Sequence, residues 1–176
     1  MACCSAVVVA EVDPEPGSAF NREFIEGPEW QEEGGGQVVL PNFPDEAGLL
    51  DFQVDDPAQA FTYGIDPASL SVGEDGVVRY TVVLKSRAGA RNVFFEGIRC
   101  QTLEYKTYAH GTPEDRFQAL RAPAWQGLSK SGSGRYRFEL HTYFLCDRSH
   151  QPLPEHVILR RLRAPEHAQP HLYEGS

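Results

Sequence analysis

The chain has 176 residues, 41% of them hydrophobic, and a formal net charge of -9. This length and composition suit one domain with a proper core. The acidic excess lies in residues 1–88 and argues against a nucleic-acid partner. The marked basic cluster, Arg160, Arg161 and Arg163, suits the C-terminal end of a helix, where cations complement the helix dipole. No apolar run is long enough to span a bilayer.

Residues 1–29 are expected to form a flexible N-terminal segment with a short helix at 18–26 that Ser18 caps. The first ten residues lack the basic region and the long apolar core of a secretory signal. We hypothesise that Met1 lies inside a longer export signal and that Cys3 is the lipidated residue of a lipoprotein. An ordinary cytosolic start at Met1 is the alternative.

A single domain is predicted over residues 30–163. Its first strands are predicted from the alternation of apolar and polar residues. Apolar residues alternate with polar ones at 50–54 and again at 61–65, a period of two that is typical of half-buried strands. Ser69–Val72 and Val77–Lys85 repeat the pattern on either side of Gly73–Gly76, whose residues tolerate positive φ. These two segments therefore predict a β-hairpin.

Two further strands follow a turn at Ser86–Arg91. Residues 92–109 are too long for one strand, so we expect a break between Gly97 and Thr102, either a bulge or a tight reversal. The chain thus predicts about six short strands between Leu49 and Ala109, joined by local turns in an antiparallel, meandering sheet.

Helices are expected after the strands. Arg135–Cys146 fits a helical face and a strand alternation equally well, and its scarcity of β-branched residues favours the helix. A second helix is predicted from Pro154 to Arg163, and residues 164–176 are predicted to be a flexible tail. The fold class is therefore α+β, with the helices packed on one face of the sheet.

Five stretches together carry a resemblance to a known family: Trp30, Leu40–Pro44, Ser71–Val77, Glu96–Cys100 and Tyr143–Cys146. In this combination the chain resembles the cryptic neisserial protein-like family of uncharacterised proteobacterial envelope proteins. The resemblance implies a periplasmic protein or an outer-membrane lipoprotein, with an unknown protein partner in the envelope and membrane contact only through a lipid. It implies no activity.

The envelope location that the family implies bears on the cysteines. In an exported protein, Cys100 and Cys146 would close a disulfide, whereas two buried thiols are the alternative. We favour the disulfide because of the compartment, since the spacing of the two residues does not decide.

Motifs specific for enzymes are missing: the sequence has no phosphate loop, nucleophile elbow, dinucleotide fingerprint or Cys-x-x-Cys pair. The residues His141, Cys146, His150 and His156 match no standard metal-site spacing, and His141 is more simply a residue on the polar face of a helix. We expect no metal site and no cofactor.

Glu96, Arg99, Glu104 and Lys106 form a charged cluster on adjoining predicted strands. Ion pairs across strands on a solvated face are their usual role, and this face is a candidate ligand or interaction surface. The leading interpretation is a non-enzymatic structural or interaction protein. The alternative is a small periplasmic hydrolase or small-molecule-binding protein that uses this surface together with His110.

Overall fold

The computed structural model of the chain describes residues 29–56, 58 and 60–169. Within these residues, seven antiparallel strands form one sheet, and the first six lie in sequence order. The strands are β1 (Leu50–Phe52), β2 (Phe61–Val72), β3 (Val77–Ser86), β4 (Arg91–Arg99), β5 (Glu104–Gly111), β6 (Phe117–Ala119) and β7 (Gln126–Gly127), which pairs with β5. The predicted antiparallel meander is confirmed.

Local turn chemistry joins the long strands. Between β2 and β3, Gly76 adopts a φ of 76°, and the side chain of Asp75 accepts a hydrogen bond from the backbone N–H of Val77. Between β3 and β4, Gly89 adopts a φ of 86°. Positive φ is easily reached only by glycine, so these two residues set where the chain reverses.

The predicted break between Gly97 and Thr102 is a tight reversal. β4 ends at Arg99, a 3-10 turn covers Cys100–Thr102, and Leu103 adopts left-handed backbone angles before β5 begins. A bulge also lies between Phe95 and Glu96 where β4 pairs with β5.

The sequence indicated about six short strands between Leu49 and Ala109, and the described residues of that region form five. The two segments expected at 61–65 and 69–72 are one continuous strand, β2, whose register against β3 shifts between Asp66 and Ser71. Pro67 interrupts the alternation there because it has no N–H to donate, and the strand resumes beyond it.

The helices follow the sheet in sequence. They are α1 (Arg135–Glu139), a π-helix (Leu140–Leu145), α2 (Glu155–Arg163) and α3 (Pro165–Ala168). The preference for a helix at 135–146 is confirmed, as is the helix that ends at Arg163. Residues 164–176 were expected to be a tail, but α3 lies within them and Gln169 is buried.

The largest core fills the space between the sheet and the helices. Strand residues Ile65, Tyr80 and Ile98 pack there with helical residues that include Leu140, Phe144, Ile158 and Leu162. A smaller cluster on the opposite face joins Phe95, Tyr108 and Ala109 to the partly buried side chains of Val38, Leu40 and Phe117. Strand β3 is therefore buried on both faces, and its predicted solvated face is wrong, since Arg79 and Thr81 are buried.

The chain divides into two compact units, residues 1–30 and residues 31–176, and every element above belongs to the second. The helix predicted at 18–26 and the candidate Cys3 lie outside the described residues. Within the described ranges, no helix is long and apolar enough to cross a bilayer.

Candidate functional site

The two distant cysteines are joined in a disulfide. Cys100 lies in the 3-10 turn after β4 and Cys146 follows the π-helix, and their sulfur atoms are 2.02 Å apart. Both residues are buried in the main core. The bond therefore ties the helical segment covalently to the sheet, and the expected pairing is confirmed.

The four residues of the predicted charged cluster lie in three different places. Glu96 faces the helices and is fully buried. Lys106 is also buried, but it belongs to the opposite side of the sheet, beside Glu32 and Tyr108. Arg99 and Glu104 face each other where β4 meets β5. The predicted common surface does not form.

Glu96 is surrounded by hydrogen-bond donors. The Tyr80 hydroxyl lies 3.3 Å from Oε2, the Tyr136 hydroxyl 3.0 Å from Oε2 and the Thr107 hydroxyl 3.0 Å from Oε1. Arg137 completes the shell, with Nε 3.0 Å from Oε2 and Nη2 2.5 Å from Oε1. We call these five residues the Glu96 network. The two nitrogens of Arg137 pair with the two oxygens of the buried Glu96 carboxylate, which is a bidentate ion pair.

Burial, and then the charge of Glu96, raise the pKa of Tyr80 and of Tyr136 well above the usual range, so both remain neutral donors. Burial lowers the pKa of Arg137, but the charge and hydrogen bonds of Glu96 outweigh this, and the net shift is upward. The guanidinium contacts two rings, with its central carbon 4.0 Å from the centroid of Tyr105 and 4.5 Å from that of Tyr136.

This network holds the fold together and is poorly placed to act on a substrate. Both oxygens of Glu96 already accept hydrogen bonds, and the side chain has no exposed surface. A general acid or base must be within reach of the proton that it transfers. The expected solvated ion pairs are therefore wrong for Glu96, because α1 brings Tyr136 and Arg137 over it.

A second ionic network lies on the other face, and sequence reasoning missed it. Glu32 accepts a hydrogen bond from Lys106 Nζ and another from the Tyr108 hydroxyl, each at 2.6 Å. Arg79 Nη2 lies 2.7 Å from Asp75 Oδ2 and 3.6 Å from Glu32 Oε1. Burial first, and then the bond to Glu32, raise the pKa of Tyr108. Alternation in β3 and β5 placed these cations on one face, but no local signal identifies Glu32 as their partner.

Arg99 and Glu104 are the pair that most resembles the prediction. They are cross-strand neighbours, and Arg99 Nη1 lies 4.0 Å from Glu104 Oε2 with both side chains partly exposed. Such a pair contributes little to stability. His110 lies opposite Phe94 near the far end of β5.

Two of the four residues considered as metal ligands, Cys146 and His141, make other contacts. Cys146 is in the disulfide, and His141 is 4% exposed with Nε2 3.1 Å from the carbonyl oxygen of Cys100. The expectation that His141 lies on a polar helix face is wrong. Burial lowers the pKa of His141. In the part of the chain that the structure describes, no three His, Cys, Asp or Glu side chains cluster as a metal site.

A family model, that of the CNP1-like family, matches residues 25–163. The chain belongs to the CNP1-like family. This confirms the resemblance seen in the sequence, and the matched span contains both disulfide cysteines and both ionic networks. The family is uncharacterised. No curated protein and no solved structure matches the chain.

Proposed function

We propose that the protein is a non-catalytic structural or interaction module of the bacterial cell envelope, located in the periplasm or anchored through a lipid on Cys3. The observation that carries the proposal is the buried disulfide between Cys100 and Cys146. Disulfides persist in oxidising compartments and are rare in the cytosol.

The arrangement of the charged groups supports a structural role. Glu96 is enclosed by donors from the sheet and from α1, and Glu32 is enclosed in the same way on the other face. Through these hydrogen bonds, both carboxylates connect parts of the chain that are distant in sequence. The alternative, a small periplasmic hydrolase that uses Glu96, Arg99 and Glu104, would need Glu96 to reach a substrate, and its burial opposes that.

The test is the location and oxidation state of the protein that its own host makes. Cells are fractionated in the presence of a maleimide that blocks free thiols, and the cysteines are then identified by mass spectrometry with and without reduction. We expect an envelope fraction in which Cys100 and Cys146 react only after reduction. A cytosolic protein with both thiols free would refute the proposal.

The same sample tests the lipid anchor. An N-terminal peptide that begins at a diacylated Cys3 supports anchoring, whereas an unmodified terminus at Met1 or Ala2 refutes it. The fractionation and thiol labelling decide the compartment even if the N-terminal peptide shows that no lipid is attached.

A further inference from the structure

A groove of about 1160 Å³ lies beside the helices, bounded by the π-helix, the loop that follows Cys146 and the last turn of α2. Its lining contains four lysine or arginine side chains, Lys130, Arg148, Arg160 and Arg161, and one carboxylate, that of Asp147. The groove is thus cationic in a chain whose formal net charge is -9.

Within the part of the chain that the structure describes, three of these cations have no carboxylate partner. Among residues 29–56, 58 and 60–169, no carboxylate lies within ion-pair distance of Lys130, Arg148 or Arg160. Arg161 is held in place, because its Nη1 donates to the backbone carbonyl of Tyr143 at 2.9 Å. The groove therefore offers donors to a ligand without first having to break an ion pair.

The single acidic residue is occupied by its own loop. Oδ1 of Asp147 accepts hydrogen bonds from the backbone N–H groups of Ser149 and Gln151, at 2.8 and 2.9 Å. Those bonds, and the disulfide at Cys146, hold the loop that carries Arg148. The negative end of α2 also opposes an anion, but its roughly half a charge is smaller than that of three unpaired cations.

A buried imidazole adds an unpaired polar atom to the groove wall. Nε2 of His141 must carry its proton, because the Cys100 carbonyl can only accept, and Nδ1 is buried with no partner in the described part of the chain. The exposed His150 ring lies over it, with centroids 5.4 Å apart. A ligand that displaced the His150 ring would find in Nδ1 an acceptor for a hydrogen bond.

We propose that this groove binds phosphate, either free or as the terminal phosphate of a larger molecule. Guanidinium groups match the geometry of phosphate oxygens. Hydrogen phosphate also carries one P–O–H group that can donate to the neutral Nδ1 of His141, which sulfate cannot do at the same pH. The inference goes beyond the proposed function and holds in either compartment.

The first experiment titrates the full chain with inorganic phosphate by calorimetry near pH 7.5 and repeats the titration with sulfate. We expect saturable binding of phosphate and weaker binding of sulfate. Absence of saturable phosphate binding would overturn the proposal, and equal affinity for sulfate would overturn the assignment of phosphate.

The second experiment locates the site. The double variant Arg148→Ala/Arg160→Ala should weaken phosphate binding by about tenfold or more, because each removes a charged donor. The matched control is Arg116→Ala/Arg121→Ala, which removes the same charge from exposed positions outside the groove. An equal loss in both double variants would show non-specific attraction and overturn the site.

A third experiment separates the two sources of phosphate. Phosphatidylcholine vesicles with and without phosphatidic acid, whose phosphate is terminal, are sedimented with the protein. If the protein binds only the vesicles that contain phosphatidic acid, and free phosphate displaces it, the ligand is a lipid headgroup. If the protein binds phosphate in solution but does not bind these vesicles, the ligand is soluble. Vesicle binding that Arg148→Ala/Arg160→Ala leaves unchanged would contradict the proposal.

Discussion

Glu96 is a carboxylate without solvent exposure whose polar contacts all come from donors. Its partners come from three parts of the chain: Tyr80 on β3, Thr107 on β5, and Tyr136 with Arg137 on α1. Removing one member of such a buried pair leaves an uncompensated charge, which is far worse than losing an exposed pair.

Glu96→Gln should lower the free energy of unfolding by about 3 kcal/mol or more, because Arg137, whose side chain is only 13% exposed, then loses its counter-charge. The measurement is urea unfolding followed by circular dichroism. The matched control is Glu104→Gln, whose partly exposed partner Arg99 is 4.0 Å away, and its expected effect is below about 1 kcal/mol. Equal effects for the two variants would contradict the structural role of Glu96.

His141 makes stability depend on pH. Burial lowers its pKa in the folded protein below the ordinary value of 6.5, so the unfolded chain binds the proton more readily. Protonation near and below that value therefore favours unfolding, and this loss of stability is absent at higher pH.

We expect the free energy of unfolding to fall less between about pH 8 and pH 5.5 in His141→Gln than in the unmodified protein. Glutamine keeps an N–H donor for the Cys100 carbonyl but does not titrate. The measurement is urea unfolding of both proteins at the two pH values. Carboxylates titrate in both proteins, so their effect cancels in the comparison. A steeper fall in the variant would show that the sign is wrong.

At the scale of elements, the C-terminal part of β4 depends on close packing against its neighbours. A Cβ built on Gly97 would lie 2.8 Å from the Tyr108 hydroxyl oxygen and 2.8 Å from Cγ1 of Val77. Both neighbours are buried, and the Tyr108 hydroxyl is held by Glu32. The lack of a side chain therefore lets β4 lie beneath the second ionic network.

Gly97→Ala should destabilise the fold by roughly 1–3 kcal/mol, since the added methyl group displaces packed atoms. Gly127→Ala is the matched control, because a Cβ there meets nothing within 4 Å. Thermal unfolding of the two variants gives the difference. A Gly97→Ala protein as stable as the control would show that the strand accommodates the extra volume.

The π-helix is the element whose faces the sequence could not assign. Tyr136, Leu140, Tyr143 and Phe144 share a face in an α-helix, but the wider turn at Leu140–Leu145 buries Phe144 and Leu145 and leaves Tyr143 half-buried. π-turns are frequent at functional sites, and here the turn places His141 in the wall of the cationic groove.

At the scale of the whole molecule, the disulfide closes a long covalent loop. It joins residues 46 positions apart, which by chain-entropy arithmetic contributes about 4 kcal/mol through the unfolded state. The main core and the Glu96 network also join the sheet to the helices, but through side-chain contacts, whereas this bond makes the link covalent.

Reduction should therefore lower the free energy of unfolding by roughly 2–4 kcal/mol. The measurement is urea unfolding with and without dithiothreitol. Cys100→Ala/Cys146→Ala is the control: it should resemble the reduced protein and should not respond to dithiothreitol. If dithiothreitol changed the free energy of unfolding equally in the double variant, the effect would not come from this disulfide. If it caused no change in the unmodified protein, the disulfide would not be stabilising.

Alternation and turn residues by themselves determined most of the sheet. The hairpin around Gly73–Gly76, the existence of a break between Gly97 and Thr102 and the helix that ends at Arg163 follow from short-range rules, because backbone geometry and glycine conformations act within a few residues. The family resemblance indicated the cysteine pairing. These parts of the fold needed no knowledge of distant contacts.

Only the tertiary structure decided what the charged residues do. Glu96 and Lys106 looked like one solvated cluster, yet packing of α1 over one face and of Glu32 against the other buried each in its own network. The partners of these residues lie 41 and 74 positions away in the chain. Hydrogen bonds over such distances depend on which segments cover the sheet, and no local pattern encodes that.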